Sequence, residues 1–352
     1  MIARLRNALA RGLVAAMVLL AGTGGAAACL VCVPFPTRTP ADLVLDAAAV
    51  GLAREDPERP FRLSVTEVAK GPTEATGPTG VYLPAADRRR LAERPETAVV
   101  LLRATPEAEW TWHLYADAAY LGFVRDTLAR AEAWRADPQA PSRLAYFEAL
   151  LDHPNGDLRR AALLEVGRAP YARIREAAAR APAPMLREAL DTPTWYDWRP
   201  LYILMLAAQR DPFDVPRLET GYRTAWEFGD IAALPAWATA LIEIHGPEGL
   251  ARVADDVMTA AQDKAGLARA AFTALSVQGE TALRPEIVEV YRRALAERPA
   301  LAAQVARDMA AWEDWSLAPE VARLLEAHAL RDPAALFAGG VYVGMARDRG
   351  AF

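Results

Sequence analysis

The segment RPLYILMLAAQRDP at residues 199–212 carries apolar side chains at helical spacing and ends in the turn signal Asp-Pro. Similar segments precede and follow it at intervals of roughly 32 to 42 residues, namely RRAALLEVGRAP at 159–170, AWATALIEIHGP at 236–247, ARAAFTALSVQG at 268–279 and QVARDMAAWEDW at 304–315. Such an interval is the length of a two-helix repeat. Because one helix pair cannot bury its apolar face alone, successive pairs are expected to stack and form one continuous core.

The larger, C-terminal part of the chain is therefore predicted to be helical. Strand signals vanish after about Tyr120, and prolines, glycines or Asp-Pro pairs interrupt the apolar pattern from there onward. We assign residues 119–352 to an α-helical repeat domain, whose rhythm resembles that of HEAT repeats. The unequal repeat lengths predict an irregular array.

Upstream of the helices, five short runs have the composition and spacing of β-strands. The runs are ADLVLDAAAVGLA at 41–53, FRLSVTEVA at 61–69, VYLP at 81–84, TAVVLLR at 97–103 and EWTWHLYA at 109–116. PAADRRRLAERP at 84–95 is predicted to form a short helix. Five strands without long helices between them indicate a small antiparallel barrel or sandwich over residues 29–118. The predicted fold class is multi-domain α and β, with a small antiparallel β barrel followed by an irregular α-helical repeat domain.

Residues 1–28 have the three parts of a secretory signal peptide. A basic start, MIARLRNALAR, is followed by the apolar run GLVAAMVLLAG and the small-residue end TGGAAA. The apolar run is about half as long as the ~20 residues that a spanning helix needs, and no later run is longer. Ala26 and Ala28 predict cleavage before Cys29. We therefore expect an exported protein, periplasmic or secreted, without a transmembrane helix in the mature chain.

Cys29 and Cys32 are the only cysteines of the chain, and export would place them in an oxidising compartment. Three interpretations remain open: a disulfide between them, a lipid anchor on Cys29 in a membrane-anchored lipoprotein, or a thiol-disulfide exchange site. The sequence AAAC has Ala26 where a bacterial lipobox normally has leucine. Pro34 and Pro36 favour extended backbone after the cysteines, whereas exchange enzymes place the first cysteine at a helix N-terminus.

The charge of the chain argues against a nucleic-acid partner. The formal net charge is −5, and removal of the leader with Arg4, Arg6 and Arg11 lowers it to −8. Arginines are scattered among acidic residues and form no basic stripe. The sequence also contains no phosphate-binding glycine loop, zinc-binding helix motif or nucleophile elbow. It therefore predicts no catalytic residue, no cofactor, no metal site and no enzyme.

One resemblance concerns the β-rich part of the chain. A cysteine motif exposed by cleavage, a strand beginning ADLVL at Ala41 and a strand ending EVAKGP at 67–72 resemble the netrin-like module of the tissue inhibitors of metalloproteinases. The resemblance covers residues 29 to about 116 and implies an OB-type barrel. It also implies that the amine and carbonyl of Cys29 would chelate a protease zinc. The chain has Cys-x-x-Cys where the animal inhibitors have Cys-x-Cys.

Aromatic residues supply the candidate binding positions. WYDWRP at 195–200 and WEDW at 312–315 place Trp195, Trp198, Trp312 and Trp315 beside carboxylates. These tryptophans could line a recognition groove, since tryptophan is common at binding hot spots, or they could seal helix ends at repeat junctions. Both interpretations stay open.

Trp110 and Trp112 share a strand face at period-two spacing, and we expect that face to be buried in the barrel.

The function favoured by the sequence is an exported binding or scaffold protein whose helical array offers a curved surface to a protein or peptide partner. A redox-linked factor using Cys29 and Cys32 and a netrin-like protease inhibitor are the alternatives. The sequence does not indicate the partner, the biological process or the oligomeric state.

Overall fold

The computed structural model describes residues 38–351 and places a curled antiparallel sheet before a larger helical region. The N-terminal elements are α1 (Pro40–Asp46), β1 (Ala49–Glu55), β2 (Arg62–Lys70), β3 (Gly77–Tyr82), α2 (Ala85–Glu93), β4 (Ala98–Arg103) and β5 (Thr111–Ala116). The predicted order of an antiparallel β structure followed by helices is confirmed, and so is the short helix α2. The leader and both cysteines lie outside the described residues.

The sheet is a half-barrel with strand order β3-β2-β1-β4-β5, and every pairing is antiparallel. Within the described residues β3 and β5 are edge strands, so the predicted small antiparallel barrel is present as a curled, open half-barrel. Register shifts on both sides of Gly51 and Leu52 in β1 mark bulges, which bend a strand and increase its twist. These irregularities help the central strand to curl.

Both faces of the sheet are buried, which explains the continuous apolar run at the start of β1. One face packs with Leu83, Leu91 of α2 and Trp110 in a small core, and Trp112 packs partly buried against the same core. The other face, which includes Val50 and Val100, belongs to the main core that continues into the helical region. The two tryptophans therefore lie on one buried face, as predicted.

The prediction of a single strand over residues 41–53 is wrong in its first half, because residues 40–46 form helix α1. Thr39 caps this helix: its hydroxyl accepts the backbone N–H of Asp42 at 3.2 Å, and the Asp42 carboxylate accepts the backbone N–H of Thr39 at 3.2 Å. This reciprocal capping box, with Pro40 at the first helical position, favours a helix over a strand. The ADLVL segment of the netrin-like resemblance is therefore helical.

The helical region begins directly after the sheet. Its helices are α3 (Ala118–Ala129), α4 (Ala131–Ala136), α5 (Pro141–Glu148), α6 (Gly156–Gly167), α7 (Tyr171–Ala178), α8 (Ala183–Asp191), α9 (Arg199–Ala208), α10 (Val215–Phe228), α11 (Leu234–His245), α12 (Pro247–Thr259), α13 (Ala265–Gln278), α14 (Arg284–Glu297), α15 (Ala302–Ala311), α16 (Ala318–Glu326) and α17 (Pro333–Asp348). Proline occupies the first turn of seven of the helices from α9 onward, where its fixed φ and missing N–H are tolerated.

The helices from α7 to α17, here called the helical array, stack as pairs in two layers. In one layer α7, α9, α11 and α13 contact one another in turn, and α15 contacts α17. Gln304 of α15 joins α13 to this series by donating to the backbone carbonyl of Phe272 at 2.9 Å. In the other layer α12, α14 and α16 contact one another. Each pair thus covers the apolar face of its neighbour, which is the stacking that the sequence predicts.

Helix α9 has the most complete burial, since every side chain from Leu201 to Ala207 is inaccessible to solvent. Contacts with α7, α8, α10 and α11 surround it. This environment accounts for the apolar run LYILMLAA without a membrane. No helix in residues 38–351 combines the length and the apolar character that crossing a bilayer requires.

A buried charged cluster joins α1 to α5 and α6. Arg143 is 2% exposed and holds both carboxylate oxygens of Glu165, at 3.1 and 2.7 Å, and one oxygen of Asp42 at 2.7 Å. Arg168 binds the same two carboxylates, and the Thr39 hydroxyl donates to Glu165. Every charge in the cluster has at least one opposite partner, which is the condition under which buried charges are tolerated.

Replacement of Arg143 by methionine is expected to lower the free energy of unfolding by about 3 kcal/mol, because it leaves two carboxylates with reduced compensation in a buried site. Urea unfolding followed by circular dichroism measures this. Arg160→Met is the matched control: Arg160 forms an exposed ion pair with Asp157 at 2.8 Å, and its loss should cost less than about 0.5 kcal/mol. Equal effects of the two substitutions would contradict the structural role of the cluster.

The same cluster predicts a dependence on acid pH. Burial raises the pKa of Asp42, but the hydrogen bonds and charges of Arg168 and Arg143 outweigh it and bring the pKa from its usual 3.8 to about 2. The resulting stabilisation, about 2 kcal/mol, is fully present above pH ~4 and is lost as the pH falls through about 2. The stability difference between the wild type and Asp42→Asn should therefore shrink from pH 5 toward pH 2. A constant difference across that range would argue against the shift.

Candidate functional site

Two of the four candidate tryptophans lie in a short 3₁₀ helix, Pro193–Trp198, which leads into α9. Trp195 is buried, and the guanidinium of Arg159 lies 4.4 Å from the centre of its ring. Trp198 is partly buried against the main core. Both side chains therefore act as packing groups at this position.

Trp312 and Trp315 lie after α15 and also pack against the main core. Trp312 stacks on Tyr291 of α14 with ring centres 5.6 Å apart, and Trp315 stacks on Tyr342 of α17 at 5.5 Å. Stacked aromatic pairs of this kind join neighbouring elements. The placement of the tryptophans favours the second of the two interpretations, in which they seal helix ends at repeat junctions. Cys29 and Cys32, the other candidate positions, lie outside the described residues.

The exposed aromatic residue of the WYDW motif is Tyr196, whose side chain is 60% exposed. It borders a groove of about 380 Å³ on the helical array. We call this the Trp237 groove; its lining residues are Arg199, Arg217, Thr220, Gly221, Thr224, Ala225, Phe228, Asp230 and Trp237. The groove therefore lies between the start of α9, the length of α10 and the first turn of α11.

Gly221 determines the shape of the groove. A Cβ atom at this position of α10 would lie 2.5 Å from ring carbons of Trp237, so only glycine allows the indole of α11 to lie directly against the helix. At the end of α10 the chain turns at Gly229, which has φ of +78°, and Phe228 is left 82% exposed. The groove thus has an aromatic wall and an exposed aromatic side chain at one end.

Arg199 supplies the main charge of the groove. Its guanidinium lies 5.8 Å from the ring centre of Tyr196 and 5.5 Å from that of Trp237. The guanidinium forms no side-chain hydrogen bond or ion pair with a residue in the range 38–351, and its Nε is buried without an acceptor. A buried donor without a partner is uncommon and costs free energy. Arg199 therefore has hydrogen-bonding capacity that the described chain does not use.

The dipoles of helices α9 and α11 also favour an anion near Arg199. Arg199 is the first residue of α9, and Trp237 lies in the first turn of α11. The N-terminal end of a helix carries partial positive charge, so a cation there is unfavourable and an anion is favourable by about 0.3–1 kcal/mol. The unpaired cation and the start of α9 lie at one end of the groove, whereas the C-terminal end of α10 and Asp230 lie at the other. An anion is therefore favoured beside Arg199.

Arg217 adds a second cation to the groove. It pairs with Asp191 at 2.7 Å, but both side chains are substantially exposed, and such pairs contribute little to stability. Its guanidinium can therefore exchange that partner for a ligand at low cost. Asp230 is the one carboxylate of the lining, and it already accepts the backbone N–H of Ala233 at 3.1 Å. The arrangement can bind a carboxylate-bearing group that also presents an apolar or aromatic surface.

A second cavity, of about 290 Å³, is built around a buried carboxylate instead of an unpaired cation. It contains Glu243, which is buried and accepts hydrogen bonds from Tyr171 at 3.1 Å, Arg210 at 2.9 Å and Gln278 at 3.3 Å. Burial, and then the charge of Glu243, raise the pKa of the Tyr171 phenol well above its usual value. The cavity lies where α11 and α13 end, and C-terminal helix ends favour cations. Its groups satisfy one another, so we interpret it as structural.

Sequence reasoning missed Arg199, Arg217 and Trp237. One signal was present in WYDWRP, where Arg199 directly precedes a proline in the first turn of a helix. A cation at that position lies at an unfavourable helix end. The contact between Gly221 and Trp237, which shapes the groove, has no local signal because it joins two helices.

Comparison with known proteins adds no further assignment. No protein-family model matches the chain, and neither a curated protein nor a solved structure shows significant similarity to it. The interpretation of the site therefore rests on the geometry and charge of the Trp237 groove.

Proposed function

We propose that this protein is an exported scaffold whose helical array binds an acidic segment of a partner protein or peptide in the Trp237 groove. The observation that carries the proposal is Arg199, a cation held between two aromatic rings with its Nε buried and without an acceptor. A glutamate or aspartate side chain, or a C-terminal carboxylate, would accept hydrogen bonds from the accessible nitrogens of this unpaired guanidinium. Hydrogen bonds between arginine and carboxylate are charge-assisted and among the stronger ones in proteins.

The surroundings of Arg199 suit a peptide. Tyr196 and Phe228 expose aromatic rings near the groove, and arginine, tyrosine and tryptophan are the residues that dominate binding energy at protein interfaces. HEAT-like stacking supports the same function, because such arrays present extended surfaces to other proteins. The acidic charge of the whole chain does not oppose the proposal, since screening at physiological salt limits long-range repulsion to about 8 Å.

A fluorescently labelled peptide of sequence Glu-Glu-Phe-Glu-Glu is a suitable probe for the groove, and its glutamine counterpart is the neutral control. We expect the acidic peptide to bind, and binding to weaken as salt is added, because the contact is electrostatic. Arg199→Met, which keeps an apolar stem between the two rings, should raise the dissociation constant by about tenfold or more, equivalent to ~1.4 kcal/mol. Fluorescence anisotropy measures both effects.

The matched control for this substitution is Arg173→Met. Arg173 is exposed, pairs with Glu176 on α7 and does not line the groove, so peptide affinity should not change. Equal binding of the acidic and neutral peptides, or full affinity in Arg199→Met, would rule out the groove as an acidic-segment site.

Export is the other part of the proposal, and it rests on the leader at residues 1–28. The redox-linked factor and the netrin-like inhibitor both depend on Cys29 and Cys32, so they stay predictions. Intact-mass spectrometry of protein purified from the producing cell tests export together with the covalent state of the two cysteines. We expect a mature N-terminus at Cys29, without a lipid, and a mass lower by two hydrogens from a Cys29–Cys32 disulfide. An uncleaved leader on a reduced protein would contradict export.

A further inference from the structure

The Trp237 groove has a second end, whose charge is opposite to that of Arg199. This end lies beside the last turn of α10, where Phe228 and Asp230 complete the lining. Gly221, against which the Trp237 indole lies, precedes Phe228 by seven residues on the same helix. At a rise of 1.5 Å per residue, the two positions are about 10 Å apart along α10. A ligand that fills the groove therefore meets both ends.

Three features of this second end favour a cation. Asp230 uses one carboxylate oxygen to accept the backbone N–H of Ala233 at 3.1 Å, and its other oxygen forms no hydrogen bond or ion pair with residues 38–351. The C-terminal end of α10 carries partial negative charge. The Phe228 ring is 82% exposed, and an aromatic ring attracts positive charge to its face.

The backbone at the end of α10 adds hydrogen-bond acceptors. The N–H groups of Gly229 and Asp230 both donate to the carbonyl of Ala225, at 3.1 and 2.9 Å. The carbonyl groups of residues 226–228 receive no backbone hydrogen bond from the turn that follows. Lysine and arginine side chains commonly bind such carbonyls at the C-terminus of a helix. A cationic group of a ligand would thus find backbone acceptors beside the Asp230 carboxylate.

None of the cations in residues 38–351 forms an ion pair with Asp230. Arg217 pairs with Asp191 at 2.7 Å, and Arg223 donates to the hydroxyl of Thr220 at 3.4 Å. Lys264 lies outside the lining, with its ammonium 6.0 Å from the ring centre of Trp226. The groove therefore combines a cation without an anion at one end with an anion without a cation at the other.

We infer that the groove binds a segment that carries an acidic and a basic residue about three positions apart, with an aromatic or apolar residue between them. This inference rests on the proposed function of the groove and specifies the partner further. The acidic side chain lies beside Arg199, the apolar one against Trp237 and the basic one beside Asp230. An extended chain advances about 3.3 Å per residue, so three residues span the distance between the ends.

Opposite charges at the two ends also determine which segments are selected. Charge complementarity fixes the register of a bound segment, and it disfavours ligands that bring like charges together. A segment that is acidic throughout places a carboxylate next to Asp230. The groove therefore favours a segment of mixed charge over one that is acidic along its whole length.

Three fluorescently labelled peptides with blocked termini and the common core Glu-Glu-Phe test the inference. In Glu-Glu-Phe-Ser-Lys-Ser the lysine lies three residues after the second glutamate. Lys-Glu-Glu-Phe-Ser-Ser has the same composition and net charge, but its lysine lies on the other side of the glutamates. Glu-Glu-Phe-Ser-Gln-Ser has no lysine. We expect the first peptide to bind about fivefold more tightly than either of the others by fluorescence anisotropy. Equal affinities would overturn the inference.

Asp230→Asn shows whether the lysine acts at the predicted end. This variant keeps a carbonyl oxygen that can accept the N–H of Ala233, so the fold should be retained, which circular dichroism checks. The preference for the first peptide should fall below about twofold, and Glu-Glu-Phe-Glu-Glu should bind more tightly than it does to the wild type, because the repulsion is lost. An undiminished preference would mean that the lysine binds elsewhere, contrary to the inference.

Asp348→Asn is the matched control for this substitution. Asp348 is exposed at the end of α17 and does not line the groove, so the preference for the first peptide should persist.

Arg199→Met separates this inference from the proposed function. If the three peptides bind equally and all lose affinity in that variant, the acidic site stands and its basic counterpart is wrong. If no peptide binds, Glu-Glu-Phe-Glu-Glu included, the proposed function is wrong and the inference fails with it.

Discussion

The stacking of apolar helix faces is the constraint on which the rest of this structure depends. Each pair from α9 onward buries one side against the preceding pair and leaves another side for the next. At the N-terminal end this requirement is met by α1 and one face of the half-barrel, which share the main core with the helices. The buried cluster of Arg143, Glu165 and Asp42 fixes that end in place. At the C-terminal end, in the described residues, no element plays the same part for α17.

The sequence predicted the features that repeat or alternate and missed those that depend on a single contact. The helical region is evident from its spacing, and the strand runs at 61–69, 97–103 and 109–116 contain strands where they were expected. The strand predicted at 81–84 begins four residues earlier, at Gly77, and ends at Tyr82. The strand prediction for residues 41–53 was wrong in its first half because a short apolar run fits a strand or a buried helix equally well. The deciding feature was the capping residue Thr39 with Asp42 three residues later, which lies partly upstream of the run.

The candidate site also depends on contacts between helices, which the local sequence does not reveal. The candidate binding residues chosen from the sequence were Trp195, Trp198, Trp312 and Trp315. They were chosen because tryptophan is enriched among the residues that dominate binding energy at interfaces. Whether a tryptophan packs inward or faces solvent depends on neighbouring helices, which a local pattern does not record. In the WYDW motif the structure turns Tyr196 outward and Trp195 inward. Sequence could thus find the right segment of the chain, but the groove beside it depends on contacts between α10 and α11.

Unmet hydrogen-bonding capacity distinguishes the groove from the buried clusters around Glu243 and Asp308. Glu243 accepts hydrogen bonds from Tyr171, Arg210 and Gln278. Asp308 accepts hydrogen bonds from Ser276 and Tyr291 at 2.5 Å each. Burial raises the pKa of Asp308, and these hydrogen bonds oppose the rise. Such clusters complete themselves inside the fold, so they need no ligand. Arg199 differs because its partners among the described residues are aromatic rings, which leave its N–H groups without acceptors.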